Sequence, residues 1–328
     1  MSNSNTPTLD YASDAEAILR QHGKSFAWAR RLLGKTTGYR AARLYQFCRQ
    51  ADDLADDDDQ DRSQDLLQLK ACILNDQPQG HRLYTDIADL IHELDLSRPV
   101  IAALIDGLIS DQDLVCLRHE EDLLRYCYHV AGTVGLLMCA VLGCEDRRAY
   151  SFAIDLGMAM QLTNIARDVL EDANNGRRYL PAEWCGDISP NQIIAAANPL
   201  HDADQQHQIA ITSAVQRCLE LAETYYQSGE KGMAFLPWRG HLAIGVAARV
   251  YRQIGIQLKA CGYRWYEGRQ TTSKQTKLWI TLRALPMLYR RLHGTRRCFG
   301  ILRDQPIPHE VYLHASLQGL PLTGRVSS

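Results

Sequence analysis

The sequence predicts an all-α fold, built as one helical bundle around a central cavity. Long stretches carry apolar residues at three- and four-residue spacing, which is the helical period, and no convincing strand alternation occurs. The chain has 328 residues and is 46% hydrophobic, which is enough for a large core. Two acidic segments with helical spacing lie more than 100 residues apart, as expected for opposite walls of a cavity.

Breaks at glycine, proline and aspartate divide the chain into the predicted helices. Gly34 separates the first two, and the run 57–61 ends the second as a solvated loop. Pro78 ends the third, and Ser97-Arg98-Pro99 begin a helix because proline suits the first turn. The helices are predicted at 12–33, 37–57, 64–76, 82–95, 98–110, 119–143, 147–173, 191–228, 238–262 and 272–292.

No internal repeat or linker divides the predicted bundle, so we expect a single domain over residues 11–300. Residues 1–10 are expected to form a flexible N-terminal tail, and residues 301–328 a C-terminal tail. The ten cysteines form no Cys-x-x-Cys pair, which favours reduced core thiols in a cytoplasmic protein. The formal net charge of −2 argues against a nucleic-acid partner.

Membrane insertion is not expected either. No signal peptide is visible, and the longest apolar run, 130–143, contains two glycines and is too short to span a bilayer.

The first acidic segment places Tyr45, Arg49, Asp52 or Asp53, and Asp56 at helical spacing. One helix face therefore carries an aromatic ring, a guanidinium group and two carboxylates. No lysine lies between Asp52 and Arg62, so a cation should compensate the repulsion between the carboxylates. Mg²⁺ suits such oxygen ligands, although an acidic segment of this kind is also typical of a solvated helix end.

The second acidic segment places Gln161, Asn164, Asp168 and Asp172 at steps of three, four and four residues. A polar stripe of three turns on an otherwise apolar helix predicts the lining of a cavity, and a buried polar network is the alternative. Arg167 could bind a phosphate group or pair with a neighbouring carboxylate. The two segments together suggest two walls that hold Mg²⁺ against a diphosphate.

The chain resembles the squalene/phytoene synthase family of head-to-head prenyl transferases, and bacterial phytoene synthases most. The resemblance covers most of the chain and rests on motifs in the same order: His22-Gly-Lys-Ser-Phe26, Leu44-Tyr-Gln-Phe-Cys-Arg49, the first aspartate motif, Tyr126-Cys-Tyr-His-Val-Ala-Gly-Thr-Val-Gly135, Gln161-Leu-Thr-Asn-Ile-Ala-Arg-Asp168, Gly176-Arg-Arg-Tyr-Leu-Pro181, Tyr251-Arg-Gln-Ile254 and Arg269. It implies an all-α isoprenoid-synthase domain.

The resemblance also implies a role for particular residues. The implied metal ligands, for Mg²⁺ or alternatively Mn²⁺, are Asp52, Asp56, Asn164, Asp168 and Asp172. The implied diphosphate or substrate contacts are His22, Gly23, Lys24, Ser25, Tyr45, Arg49, Gln161, Arg167 and Tyr251. Some relatives have serine in place of Gly23, where a backbone N–H would have to replace the hydroxyl contact. Tyr45, Arg49 and the four aspartates are the implied catalytic residues.

The implied reaction joins two geranylgeranyl diphosphates through a cyclopropyl diphosphate to give phytoene, without NADPH. Carbocations in this reaction need a dry cavity with aromatic faces, for which Tyr45, Tyr126, Tyr128 and Tyr251 are candidates. The alternatives are dehydrosqualene or squalene synthesis from farnesyl diphosphate, a non-catalytic prenyl-diphosphate-binding or assembly subunit, and an acidic helical scaffold. The hydrophobic product suggests peripheral membrane contact, to which Arg290, Arg291, Arg296 and Arg297 could contribute.

Overall fold

The computed structural model describes residues 24–55, 63–112, 114–268, 272–273, 275–284 and 308–321. Its helices are α1 (Lys24–Arg30), α2 (Lys35–Ala55), α3 (Ser63–Leu74), α4 (Arg82–Leu94), α5 (Arg98–Ser110), α6 (Glu120–Cys127), α7 (Thr133–Val141), α8 (Ala149–Asn174), α9 (Ala182–Cys185), α10 (Pro190–Ala197), α11 (Asp202–Gly232), α12 (Trp238–Ala260) and α13 (275–284). A π-helical turn, Tyr128–Gly132, joins α6 to α7, and 3-10 turns occupy Pro78–Gly80, Met233–Phe235, Trp265–Glu267 and Val311–Leu317. Extended pairing in these residues is limited to one bridge between Cys116 and Arg178, which confirms the all-α prediction.

Two predicted helices differ from the structure. The single helix predicted at 191–228 is wrong, because α10 and α11 are separate and residues 198–201 lie between them. Pro199 lacks a backbone N–H and disfavours helix at the residue before it, which explains the break. The helix predicted at 119–143 is present but contains the π-helical turn, which periodicity alone does not reveal.

The long helix α8 is the centre of the bundle and packs against α7, α10, α11 and α12. Glycines allow its neighbours to approach closely. A Cβ at Gly135 would lie 2.2 Å from the carbonyl oxygen of Ala153, and one at Gly157 would lie 2.3 Å from that of Ala131. Helix α8 and the segment before and within α7 therefore touch backbone to backbone, and either substitution would force them apart.

The C-terminal segment 308–321 packs on the bundle through a buried carboxylate on α8. Asp155 is fully buried and accepts hydrogen bonds from Ser228 (2.5 Å), His309 Nε2 (2.8 Å) and His314 Nε2 (2.7 Å). The ligand atoms of Asp155 and the two histidines all lie within 4.8 Å of one another. This network joins α8, α11 and the C-terminal segment at one point.

Two tyrosine hydroxyls attach the same segment elsewhere. Tyr225 donates to the carbonyl oxygen of Leu313 at 2.8 Å, and Tyr128 donates to that of Pro321 at 2.5 Å. The hydroxyl of Tyr128 is therefore used in holding the chain together, and its ring is fully buried. Residues 290, 291, 296 and 297, the basic positions named above, lie outside the described residues.

We expect Asp155→Asn to lower the free energy of unfolding by roughly 1–3 kcal/mol at pH 7, because the amide cannot accept all the hydrogen bonds that the buried carboxylate accepts. Burial alone would raise the pKa of Asp155, but the hydrogen bonds from His309 and His314 outweigh it and lower that pKa. A lowered pKa stabilises the fold above the unfolded-state value of about 3.9, and the contribution is lost as the pH falls through the folded value. Urea unfolding at pH 7 measures the difference.

Asp95→Asn is the matched control for this variant. Asp95 is exposed at the end of α4, and its left-handed backbone (φ 48°) suits asparagine equally well. An Asp155→Asn protein as stable as this control would show that the buried network does not hold the segment.

Candidate active site

A largely apolar cavity of about 310 Å³ lies within the bundle. Its wall comes from α1, α2, the π-helical turn, α7, α8, α11 and α12, including Leu33, Leu44, Ala131, Val134, Met138, Leu142, Phe152, Leu156, Met160, Leu236, Ala243 and Ala247. Its polar lining includes Tyr45, Gln161, Asn164 and Tyr251. The segment 131–135 has two roles, since Ala131, Val134 and Gly135 line the cavity and Gly135 also packs against the backbone of α8.

The first wall of the polar end is the C-terminal half of α2. Tyr45 lines the cavity, and Asp52 follows two turns later on the same face. Arg49 lies between them and pairs with Asp52 at 2.9 Å and with Asp53 at 2.5 Å. Arg49, one turn before these aspartates, therefore supplies part of the positive charge that the sequence led us to expect beside them. Asp56 lies outside the described residues.

The second wall is the C-terminal half of α8. Gln161 and Asn164 line the cavity, and the amide nitrogen of Asn164 donates to Gln161 Oε1 at 3.3 Å. The Oδ1 atom of Asn164 is buried, and no described residue offers it a hydrogen bond. Asp168 follows one turn later and forms a bidentate ion pair with Arg167. The Nε of Arg167 donates to Oδ1 at 2.7 Å, and its Nη2 donates to Oδ2.

Tyr251 of α12 connects the two walls. Its phenol lies close enough to Tyr45 on α2 and to Arg167 on α8 to act on the pKa of each. Burial, followed by the proximity of Tyr251, raises the pKa of Tyr45 to about 12, so this hydroxyl stays protonated at neutral pH. Tyr45, Arg167 and Tyr251, three of the substrate contacts implied by the resemblance, are thus brought together from three helices.

Asp172 lies in the most unfavourable electrostatic surroundings of the site. Burial raises its pKa to about 8, and the carboxylates of Asp168, Glu171 and Asp111 add to the increase. Arg177 acts in the opposite direction but does not restore the usual value. A cation between these carboxylates would remove the repulsion and let Asp172 ionise at neutral pH.

Asp111 is a residue that sequence reasoning missed. It ends α5, is 9% exposed, and accepts hydrogen bonds of 2.9 Å from the hydroxyls of both Tyr126 and Tyr179. The two rings stack with their centroids 4.7 Å apart. No periodic pattern marks Asp111, because it ends a helix that is apolar on most of its surface.

The other two aromatic candidates for cation stabilisation, Tyr126 and Tyr128, lie outside the cavity lining. Each packs instead with its hydroxyl donating a hydrogen bond, Tyr126 to Asp111 and Tyr128 to the carbonyl oxygen of Pro321. The Nδ1 atom of His129 forms a hydrogen bond of 2.7 Å with the carbonyl oxygen of Ala103, which gives this histidine a structural role. His22 and Gly23 lie outside the described residues, as do the side chains of Lys24 and Ser25.

The residues present fit a divalent cation bound by oxygen atoms. The unpartnered Asn164 oxygen, Asp168 and Asp172 lie on successive turns of α8, and Asp52 continues the face of α2. Hard cations such as Mg²⁺ take one or two carboxylates, keep waters and bind substrate phosphates at the remaining positions. Arg49 and Arg167 lie beside these carboxylates, where a cation would free their guanidinium groups for an anionic ligand.

Residues 19–278 match the family model described as squalene/phytoene synthase. The chain belongs to the squalene/phytoene synthase family. It is 36% identical to the phytoene synthase of Pseudescherichia vulneris, over 86% of this chain and 92% of that protein. It is 33% identical to the 15-cis-phytoene synthase of Pantoea ananas, over 85% of this chain and 92% of that protein.

Solved structures of the family share the fold. A dehydrosqualene synthase crystallised with a ligand superposes with a TM-score of 0.70 and 26% identity, over 85% of this chain and 96% of that one. The squalene synthase HpnC from Alicyclobacillus acidocaldarius gives a TM-score of 0.66 with 20% identity, over 77% of this chain and 94% of that one. The second likeness concerns the fold alone.

We expect Asp172→Asn to raise the thermal midpoint of the metal-free protein by about 2 °C or more at pH 9. A carboxylate whose folded pKa is raised costs stability progressively as the pH rises from the unfolded value of about 3.9 to the folded value. The gain should therefore be smaller at pH 5, where Asp172 is protonated in the fold. Thermal unfolding in EDTA at both pH values measures it, with exposed Glu145→Gln as control. A lowered midpoint at pH 9 would contradict the electrostatic account.

Proposed function

We propose that the chain is a phytoene synthase, which joins two geranylgeranyl diphosphates head to head and releases two diphosphates. The observation that carries this proposal is one apolar cavity whose polar end lies between two acidic helices. A prenyl chain fits the apolar part and a diphosphate fits the polar end. The enzyme is accordingly a transferase, and the named relatives at 33–36% identity support the same activity.

The polar end would bind and ionise the substrates. Asp52, Asp56, Asn164, Asp168 and Asp172 would hold Mg²⁺, with Mn²⁺ as an alternative. When bound, the metal would neutralise the charge that develops on a leaving diphosphate. Arg49 and Arg167 would bind diphosphate oxygens through bidentate hydrogen bonds, as guanidinium groups do with phosphates. Gln161, Tyr45, Tyr251 and the His22–Ser25 segment would orient the substrate.

The apolar cavity would protect the allylic cation until the second substrate attacks it. That attack gives the cyclopropyl diphosphate, and a second ionisation, a rearrangement and a proton loss give phytoene. The rings of Tyr45 and Tyr251 are the candidates for cation–π stabilisation, at about 0.5–2 kcal/mol each. Because the hydroxyl of Tyr45 stays protonated, its ring faces the cation as a neutral phenol. No step requires a hydride, so NADPH is not needed.

The relatives named phytoene synthase support the longer substrate. The lining of the cavity on α8 extends from Asn164 to Ala149, which is roughly 22 Å at the helical rise and suits an extended prenyl chain. The runner-up is synthesis of dehydrosqualene or squalene from farnesyl diphosphate, which the solved dehydrosqualene synthase brings into consideration. A non-catalytic prenyl-diphosphate-binding or assembly subunit is the alternative of another class.

We also propose that the protein works in the cytoplasm in peripheral contact with a membrane, because phytoene is a hydrocarbon that partitions into lipid. In the part of the chain that is described, the run Glu120–Val141 is apolar and long enough to cross a membrane by length and composition. Half of its most apolar window (50%) is buried inside the bundle, as in a core helix.

We expect phytoene from labelled geranylgeranyl diphosphate and Mg²⁺ without NADPH, and little product from farnesyl diphosphate under the same conditions. Extraction and chromatography of the hydrocarbon, with and without EDTA, measure both. Preferred turnover of farnesyl diphosphate would establish the runner-up instead. Absence of any product from either substrate would leave only the binding subunit.

We expect Asp52→Asn and Asp168→Asn each to lower kcat by roughly 10²–10³-fold or more, because each removes a charge needed in the transition state. Circular dichroism should show an unchanged fold. The control is Glu220→Gln, which changes an exposed carboxylate on α11 and should leave kcat as it is. Near-normal turnover in both aspartate variants would refute the two-walled metal site.

A further inference from the structure

Basic residues are concentrated in three parts of the chain. Residues 17–51, 238–266 and 268–303 contain no Asp or Glu, yet they hold 22 of the 36 Lys and Arg residues. The remaining chain holds the other 14 and all 38 acidic residues. The net charge of −2 is therefore the sum of three basic stretches and an acidic remainder, and α1, α12 and α13 all belong to the basic stretches.

Helix α13 is apolar on its outer face. Ile280 and Ala284 point into the protein and are 5% and 1% exposed, as expected for a helix that packs on a core. The opposite side carries Leu278, Trp279 and Leu282, which are 51%, 51% and 54% exposed. Large apolar side chains in i, i+1 and i+4 positions on the solvent side of a helix form a stripe that marks an interaction surface.

Helices α1 and α12 pack with α13 as one unit. Ile280 shares a buried cluster with Val246 and Val250 of α12, and the ring of Trp28 packs against that cluster. Trp28 Nε1 also donates to Thr281 Oγ1 at 2.9 Å. Because these contacts link all three helices, their outward residues lie on adjoining parts of one surface.

Each exposed tryptophan of this unit has an arginine over its ring. Arg283 lies 3.8 Å from the ring centroid of Trp279, and Arg239 lies 4.9 Å from that of Trp238. Trp238 is 46% exposed and precedes the buried Leu242 by four residues, so it continues the face of α12 that meets α13.

Two of these helices form part of the cavity wall. Arg30 and Leu33, at and just after the end of α1, line it, and so do Ala243 and Ile244 of α12. Other residues of α12, among them Val246 and Val250, pack on α13, so α12 lies between the cavity and α13. The thickness of these two helices therefore separates the proposed prenyl-binding cavity from a membrane in contact with the outer face of α13.

We propose that this tryptophan–arginine face, formed by Trp238, Arg239, Leu278, Trp279, Leu282 and Arg283, docks the protein on an anionic membrane surface. Tryptophan is enriched where a bilayer meets water, because its ring is apolar and its N–H remains hydrated. Arginine adds attraction to anionic lipid headgroups, and no carboxylate on α1, α12 or α13 opposes it. The docking itself needs no turnover; only its purpose, delivery of a hydrocarbon, rests on the proposed function.

The aliphatic residues favour a membrane over a nucleic acid. Binding to nucleic-acid phosphates would use the arginines, but it would leave the side chains of Leu278 and Leu282 exposed to water. Insertion into the interfacial region of a bilayer buries both leucines together with Trp279. The excess of acidic residues in the remaining chain would also repel a polyanion that wraps the protein.

Flotation with lipid vesicles tests the proposal on the full-length protein without substrate. We expect binding to vesicles of phosphatidylglycerol and phosphatidylcholine, and at least about tenfold weaker binding to phosphatidylcholine alone. The double variant Trp279→Gln/Leu282→Gln should weaken binding to the anionic vesicles at least about tenfold. Arg239→Gln and Arg283→Gln should each weaken it about fivefold, the contribution of one basic residue near such a surface.

The matched control is Leu200→Gln/Ile209→Gln, two residues that are 86% and 70% exposed on another part of the protein. This control should bind as the wild type does. Equal binding by the Trp279→Gln/Leu282→Gln protein, no binding by the wild type, or binding to duplex DNA in place of vesicles would each overturn the proposal.

Turnover of detergent-dispersed geranylgeranyl diphosphate distinguishes this proposal from the proposed function. The tryptophan–arginine face contributes no residue to the cavity, so the double variant should keep wild-type turnover in detergent. Vesicle binding without any turnover would refute the proposed function alone. Turnover with no vesicle binding would refute the docking face alone.

Discussion

Close packing of α8 against its neighbours is the constraint on which the rest of the structure depends. Gly135 and Gly157 let the α7 segment and α8 meet at the backbone, and no larger side chain fits at either place. Helix α8 can then serve three purposes along its length. One face lines the cavity, the C-terminal turns carry Asn164, Asp168 and Asp172, and Asp155 accepts three hydrogen bonds on the side facing the C-terminal segment.

At the polar end, the two arginines compensate two of the aspartates, but Asp172 is left among other carboxylates. Arg49 and Arg167 each pair with an aspartate next to them on the same helix. Asp172 has the carboxylates of Asp168, Glu171 and Asp111 around it, and its pKa rises to about 8. Charge repulsion of this kind costs stability, and it persists where the function needs a cation or an anionic substrate to complete the site.

Acidic and basic residues are also separated along the whole chain. The acidic residues dominate outside the three basic stretches, whereas α1, α12 and α13 are wholly free of carboxylates. The polar end of the cavity draws on both parts of the chain, since Arg49 and Tyr251 belong to basic stretches and Asp168 and Asp172 belong to the acidic remainder. Guanidinium groups suit an anionic ligand there, and carboxylates suit a cation.

The helical period predicted the all-α class, and the polar stripes of α2 and α8 predicted that Tyr45, Gln161 and Asn164 would share helix faces with the aspartates. Those features are local, because side chains at i, i+3 and i+4 share a helix face whatever the remaining chain does. Only the tertiary structure decided that Asp111 would act on Asp172, that His309 and His314 would bind Asp155, and that Ile280 of α13 would pack with Val246 and Val250 of α12. These relations join residues far apart in sequence, and the local pattern does not contain the packing that brings them together.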